Sequence, residues 1–245
     1  MPKFTDMQTI NVPGGGNFQF SAVRPDKLGA TEYTLVTMVV DISSSVSSFK
    51  KDLLECIKAI VGACQRSPRA NNLMVRLLLF NDTRQEIHGF LPLNQIDPGN
   101  YQSLRCQGST ALYDSVYDAI SATNVYAKTL FDQDFDVNAA VYIITDGEDN
   151  CSTVTPAMIA KQVQDAMRDE FLESLISVLV GVNASSGGSA GYLQLFQKDA
   201  QLGQFIDIAS ATPDTLAKLA AFVGKSISAQ SQALGTGGPS QILTF

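Results

Sequence analysis

The chain has 245 residues, 45% hydrophobic and 17% charged, which is enough apolar material for one α/β domain and too little charge for a disordered chain. Seventeen Lys and Arg against 24 Asp and Glu leave a net charge of −7. That is the wrong sign for neutralising phosphates, so nucleic acid and anionic membrane surfaces are excluded as expected partners.

Residues 1–32 hold two short alternating stretches, Thr9–Val12 and Asn17–Val23, on either side of Gly14-Gly15-Gly16, a pattern that predicts a hairpin or arm packed on the domain. From 33 to 230, compact apolar runs alternate with helical spacing, the mark of a doubly wound, mostly parallel sheet with helices on both faces. The runs Tyr33–Val40, Leu73–Phe80, Ala139–Thr145 and Leu175–Val182 are rich in Val, Ile and Leu without clean polar alternation, as in strands buried on both sides. Phe205–Ile208 adds a weaker edge strand. Arg84–Leu93 follows Leu73–Phe80 too closely for a helical crossover and predicts one short antiparallel edge strand. Between the strands, Phe49, Leu53, Ile57, Ile60 and Cys64 mark a helix over about Ser48–Arg66. Similar spacing returns at Leu112–Thr123, Ile159–Phe171 and Leu216–Ile227, with Thr155-Pro156 and Thr212-Pro213 as helix starts. Residues 231–245, with glycines and a proline within 235–239 and an apolar tip, predict a flexible tail.

Three loops carry chemistry. Asp41-Ile42-Ser43-Ser44-Ser45 stands where the first buried strand gives way to a helix, the place where open α/β sheets bind ligands. Asp41, Ser43 and Ser45 offer hard oxygen atoms that suit Mg²⁺ or another small divalent cation better than zinc. One loop cannot complete such a site, and Thr110, ahead of the second helix, and Asp146-Gly147, after the run ending at Thr145, supply more oxygens at the same sheet edge.

This ordered set resembles the metal-ion-dependent adhesion site of von Willebrand factor type A domains, and the resemblance extends from Tyr33 to Ala229. It implies Ser43, Ser45 and Thr110 as inner ligands, with Asp41 and Asp146 supplying charge and orienting waters. It implies Mg²⁺, Mn²⁺ or Ca²⁺ with an open position for an exposed Asp or Glu of a protein partner. It further implies a binding module rather than an enzyme, of the stand-alone intracellular prokaryotic type, cytoplasmic and tied to stress or resistance systems. The family usually has Gly where this chain has Ser44, and commonly Met at Val46; a positive φ at Ser44 would strain the loop. The alternatives are an assembly scaffold with a vestigial metal site and, less favoured, a metal-dependent hydrolase.

Other motifs have plainer readings. No window approaches the ~18 apolar residues of a membrane span and the first residues form no secretory leader, so a cytoplasmic chain without membrane insertion is expected. Cys56, Cys64, Cys106 and Cys151 lack metal spacing and read as small apolar groups. Gly187-Gly188-Ser189-Ala190-Gly191 matches a hydrolase nucleophile elbow, but the sole histidine, His88, lies upstream of it, so a mobile glycine-serine loop is expected. Glu148, Asp149 and Asn150 read as solvated loop residues.

Overall fold

The computed structural model describes residues 5–12, 17–238, 240 and 242–245. The expected turn at Gly14–Gly16 lies outside them. Eight strands, β1 (Thr5–Asn11), β2 (Asn17–Val23), β3 (Glu32–Asp41), β4 (Leu73–Phe80), β5 (Arg84–Pro92), β6 (Asp136–Thr145), β7 (Leu175–Val182) and β8 (Gln204–Ile208), join in one sheet. Their order is β1-β2-β5-β4-β3-β6-β7-β8. The helices are α1 (Lys50–Gln65), α2 (Leu112–Phe131), α3 (Pro156–Arg168), α4 (Ala184–Gly187), α5 (Ala190–Asp199) and α6 (Pro213–Thr236). Among the described residues no helix is long and apolar enough to cross a membrane.

The apolar runs without alternation become the strands that are covered on both sides. Along β3, Val36, Met38 and Val40 pack into one core layer with α1 and α6, while Val39 enters the opposite layer with α2, α3 and α5. Each fully buried side chain of this size contributes about 1.5–3 kcal/mol. β3 pairs in parallel with both β4 and β6, so the chain leaves β3 toward one side of the sheet and returns on the other. The crevice at that reversal lies beyond the C-terminal ends of β3 and β6, where Asp41 and Asp146 stand.

The antiparallel edge is wider than the sequence predicts. β5 does pair antiparallel with β4, but it is not the edge, because β1 and β2 extend the sheet beyond it. β2 meets β5 in parallel at Ala22 and Phe90. Gly89 permits the contact, since a Cβ there would stand 1.7 Å from the Ser21 carbonyl oxygen. Phe20 and Ala22 are buried, so the hairpin shares the core instead of lying on it as an arm.

Thr212 caps α6 with its hydroxyl, accepting from the Thr215 N–H at 3.2 Å, whereas Thr155 holds the N-cap position of α3 without a side-chain bond. The boundary expected between 230 and 231 falls inside α6, which continues to Thr236 because Ile227 and Leu234 are still buried. Beyond the helix, Phe245 packs edge-on against Phe222 with ring centroids 5.5 Å apart, and Ser240 Oγ lies 2.6 Å from Ser174 Oγ.

Candidate metal centre

Asp41 closes β3 and is 1% exposed. Its Oδ1 accepts the Ser43 N–H at 2.7 Å, an Asx turn that swings the chain off the strand, and a 3₁₀ turn over Ser44–Ser48 follows. Its Oδ2 accepts the Thr145 hydroxyl at 2.6 Å, which ties the ends of β3 and β6 together. Ser45 Oγ donates to Asp146 Oδ1 at 2.8 Å, and Ser43 Oγ lies 3.1 Å from Ser45 Oγ. Asp41, Ser43, Ser45 and Asp146 thus form one hydrogen-bonded group.

Thr110 belongs to the adjoining loop. Its N–H donates to Asn150 Oδ1 at 2.9 Å and its carbonyl accepts the Asn150 N–H at 3.0 Å, so the Thr110 backbone is fixed against the loop that carries Asp146. On the other side, the Gly108 carbonyl accepts from Ser44 through N–H at 3.2 Å and Oγ at 3.0 Å. Gly108 has φ +78°, and a Cβ there would stand 2.7 Å from Asp82 Oδ1, so glycine is required. All five expected positions therefore sit on three mutually bonded loops, although no direct hydrogen bond joins Thr110 to the other four among the described residues.

Both carboxylates are held under electrostatic stress. Burial pushes the Asp41 carboxyl up to about 6, opposed by the hydrogen bonds from Thr145 and Ser43, while nearby Asp146 adds to the rise. Burial also raises Asp146, opposed by Ser45. Their donors are hydroxyls and a backbone amide. No Lys, Arg or His among the described residues pairs with either carboxylate, nor do three His, Cys, Asp or Glu side chains cluster as metal ligands. A metal here would need mixed hydroxyl and carboxylate donors. The arrangement fits a small hard cation: ligand oxygens about 2.1 Å from an octahedral ion lie about 2.9 Å apart along an edge, close to the 2.8 and 3.1 Å separations at Ser45.

Several expectations change. Ser44 is not among the positive-φ residues, and its side chain bonds the neighbouring loop, so the strain anticipated there is absent. Asn150 and Asp149 are structural rather than merely solvated: Asn150 clamps Thr110, and Asp149 Oδ1 accepts the Tyr113 N–H at 3.2 Å. Ser189 lies in no loose loop, for it is 6% exposed and donates to the Asp146 carbonyl at 3.1 Å. His88 pairs with Tyr101 through Nε2 at 2.8 Å. Sequence reasoning read Asn150 and Ser189 only as loop residues and gave Thr145 no role, although a hydroxyl at the last position of an apolar run, directly before Asp146, was a signal for it.

No protein-family model matches this chain, and no curated protein matches it. Solved structures do. The D319A mutant of the PilB minor pilin from Streptococcus sanguinis aligns with TM-score 0.61 at 13% identity, covering 89% of this chain and 66% of the pilin. The pilus adhesin SpaC from Lactobacillus rhamnosus GG gives 0.57 at 11%, covering 92% of this chain and 35% of the adhesin. Proximal thread matrix protein 1 from the mussel byssus, with a zinc-occupied MIDAS motif, gives 0.52 at 17%, covering 81% of this chain and 46% of that protein. This chain therefore spans less than two thirds of the length of each. At these identities the likeness shows the fold alone, a mostly parallel α/β sheet with helices on both faces.

Proposed function

We propose that the chain is a metal-dependent protein-binding module, in which Ser43, Ser45, Thr110, Asp41 and Asp146 hold Mg²⁺ or a similar divalent cation. The observation that carries this reading is the pairing of a buried carboxylate, Asp41, with the half-buried Asp146, linked through serine hydroxyls and without a protein cation among the described residues. When bound, the cation would supply an electrophilic position for a carboxylate of a partner. The protein's part is to pre-form the donor set. Thr145 and the Ser43 amide orient Asp41, Ser189 and Ser45 hold the Asp146 loop, and Asn150 fixes Thr110. Two carboxylates only balance a divalent charge, and the hydroxyls add none, which keeps an attraction for one further anionic oxygen.

The byssus protein with its zinc-occupied MIDAS motif supports a divalent cation on this fold. The adhesin and pilin likenesses favour binding or assembly over catalysis. They also favour the second reading, an assembly scaffold whose metal site is vestigial. Four free thiols, Cys56, Cys64, Cys106 and Cys151, support a reducing, cytoplasmic setting. Thermal melts in Mg²⁺ and in EDTA test the proposal. Wild type should gain stability with rising Mg²⁺ and Asp41→Ala should not; a wild type indifferent to both leaves the scaffold.

A further inference from the structure

An open groove lies on the α1 face of the sheet. Leu77 and Leu79 of β4 point into the layer beneath α1, and Gln85 and Ile87 continue that face onto β5, where Leu79 pairs with Gln85. The groove, of about 380 Å³, is lined also by residues 100–105 and by Ile42, Leu54 and Ile57. This volume falls in the roughly 300–1,000 Å³ range of small-molecule sites. Ile87 is 39% exposed at its edge, an apolar side chain left uncovered on a sheet face.

The lining is divided by chemistry. Its floor is aliphatic, while Asn100, Gln102, Ser103 and Arg105 supply polar groups along one wall. Arg105 is the only charged lining residue, so a groove without a carboxylate exists in a chain of net charge −7. The wall is also braced, because Tyr101 bonds His88 on β5 at 2.8 Å.

We infer that this groove binds a small amphipathic anion, an aliphatic body on the Leu77, Leu79 and Ile87 floor with a carboxylate turned to Arg105. An uncharged apolar ligand would leave the cation unused, and a cationic one would be repelled. The inference does not rest on the metal reading, and it is tested with EDTA present.

Octanoate is the probe, with 1-octanol as the uncharged control, each titrated calorimetrically into the full chain. Octanoate should saturate at one per chain. Ile87→Glu, at an exposed position, should weaken it about tenfold, and Arg105→Gln should weaken it by a similar factor while leaving octanol unchanged. Melting curves of both variants establish that they fold, and either alone suffices if the other does not. Uptake without saturation, or octanoate affinity unchanged in the folded variants, overturns the proposal. So does a dimer in sedimentation that Ile87→Glu dissolves while octanoate fails to bind, since the groove would then be covered by a second copy.

Discussion

Two regions of this molecule bury carboxylates, and they handle the charge in opposite ways. In the sheet beside the N-terminal hairpin, Arg76 is fully buried and bonds Glu86 at 2.8 Å and Asp118 at 3.0 Å. Arg84 reaches Asp114 at 3.3 Å and Asp118 at 3.9 Å and lies 3.9 Å over the Phe18 ring. Three carboxylates there face two guanidinium groups. At the C-terminal edge of β3 and β6, two carboxylates face only hydroxyls and an amide. The first region is closed by its own side chains; the second has the charge deficit that a divalent cation would meet.

The contrast can be broken most forcefully at Arg76. Arg76→Met should cost about 3–5 kcal/mol in denaturant unfolding, because it removes the buried cation bonded to Asp118, which is buried, and to the half-buried Glu86. The opposite outcome is expected at the metal edge. In EDTA at neutral pH, Asp41→Asn should be at least as stable as wild type, since it removes a buried charge that nothing neutralises. In Mg²⁺ at a hundredfold its Kd, wild type should gain about 2.7 kcal/mol and the variant nothing. A matching loss from both substitutions in EDTA would show that the two regions do not differ.

A pH series sharpens the same difference. The folded-state value of Asp41, about 6, lies above the ordinary value of about 3.9. Its contribution to stability is therefore complete below about 4 and lost as pH rises through 6. In EDTA, wild type should lose stability across about pH 4–6 relative to Asp41→Asn. Saturating Mg²⁺, which binds the ionised form, should flatten or reverse that slope. The smallest effect is expected at Ser44: removing its bond to the Gly108 carbonyl with Ser44→Ala should cost about 0.5–1.5 kcal/mol and loosen metal binding slightly, as read by melts with and without Mg²⁺.

The two regions also differ in how they read from sequence. The proposed metal edge is local and ordered, with Asp41, Ser43 and Ser45 in one loop and Asp146 directly after an apolar run, so residue type, spacing and the family resemblance bring most of it into view. The strands Leu73–Phe80 and Leu175–Val182 are legible for the same reason, as continuous apolar runs with clear ends. The arginine cluster depends on pairings far apart in the chain, such as Glu86 Oε1 accepting from the Ser21 N–H at 2.9 Å. Its single clue was Arg76 inside the apolar run of β4. The same long-range contact conceals the wider sheet: only the close approach at Gly89 lets β2 join β5, and no periodicity reports it. α5 hides because its buried stripe is short, Leu193 and Phe196, and a glycine-serine stretch precedes it.

The most direct test of the metal centre counts bound cation. Mn²⁺ titrated into EDTA-stripped, dialysed protein can be followed by the electron paramagnetic resonance signal of the free ion. The account predicts one bound Mn²⁺ per chain, displaced by Mg²⁺ and absent in Asp41→Ala, with Arg76→Met binding as wild type wherever it remains folded. A wild-type titration that tracks the buffer blank, or equal binding by folded Asp41→Ala, would contradict it.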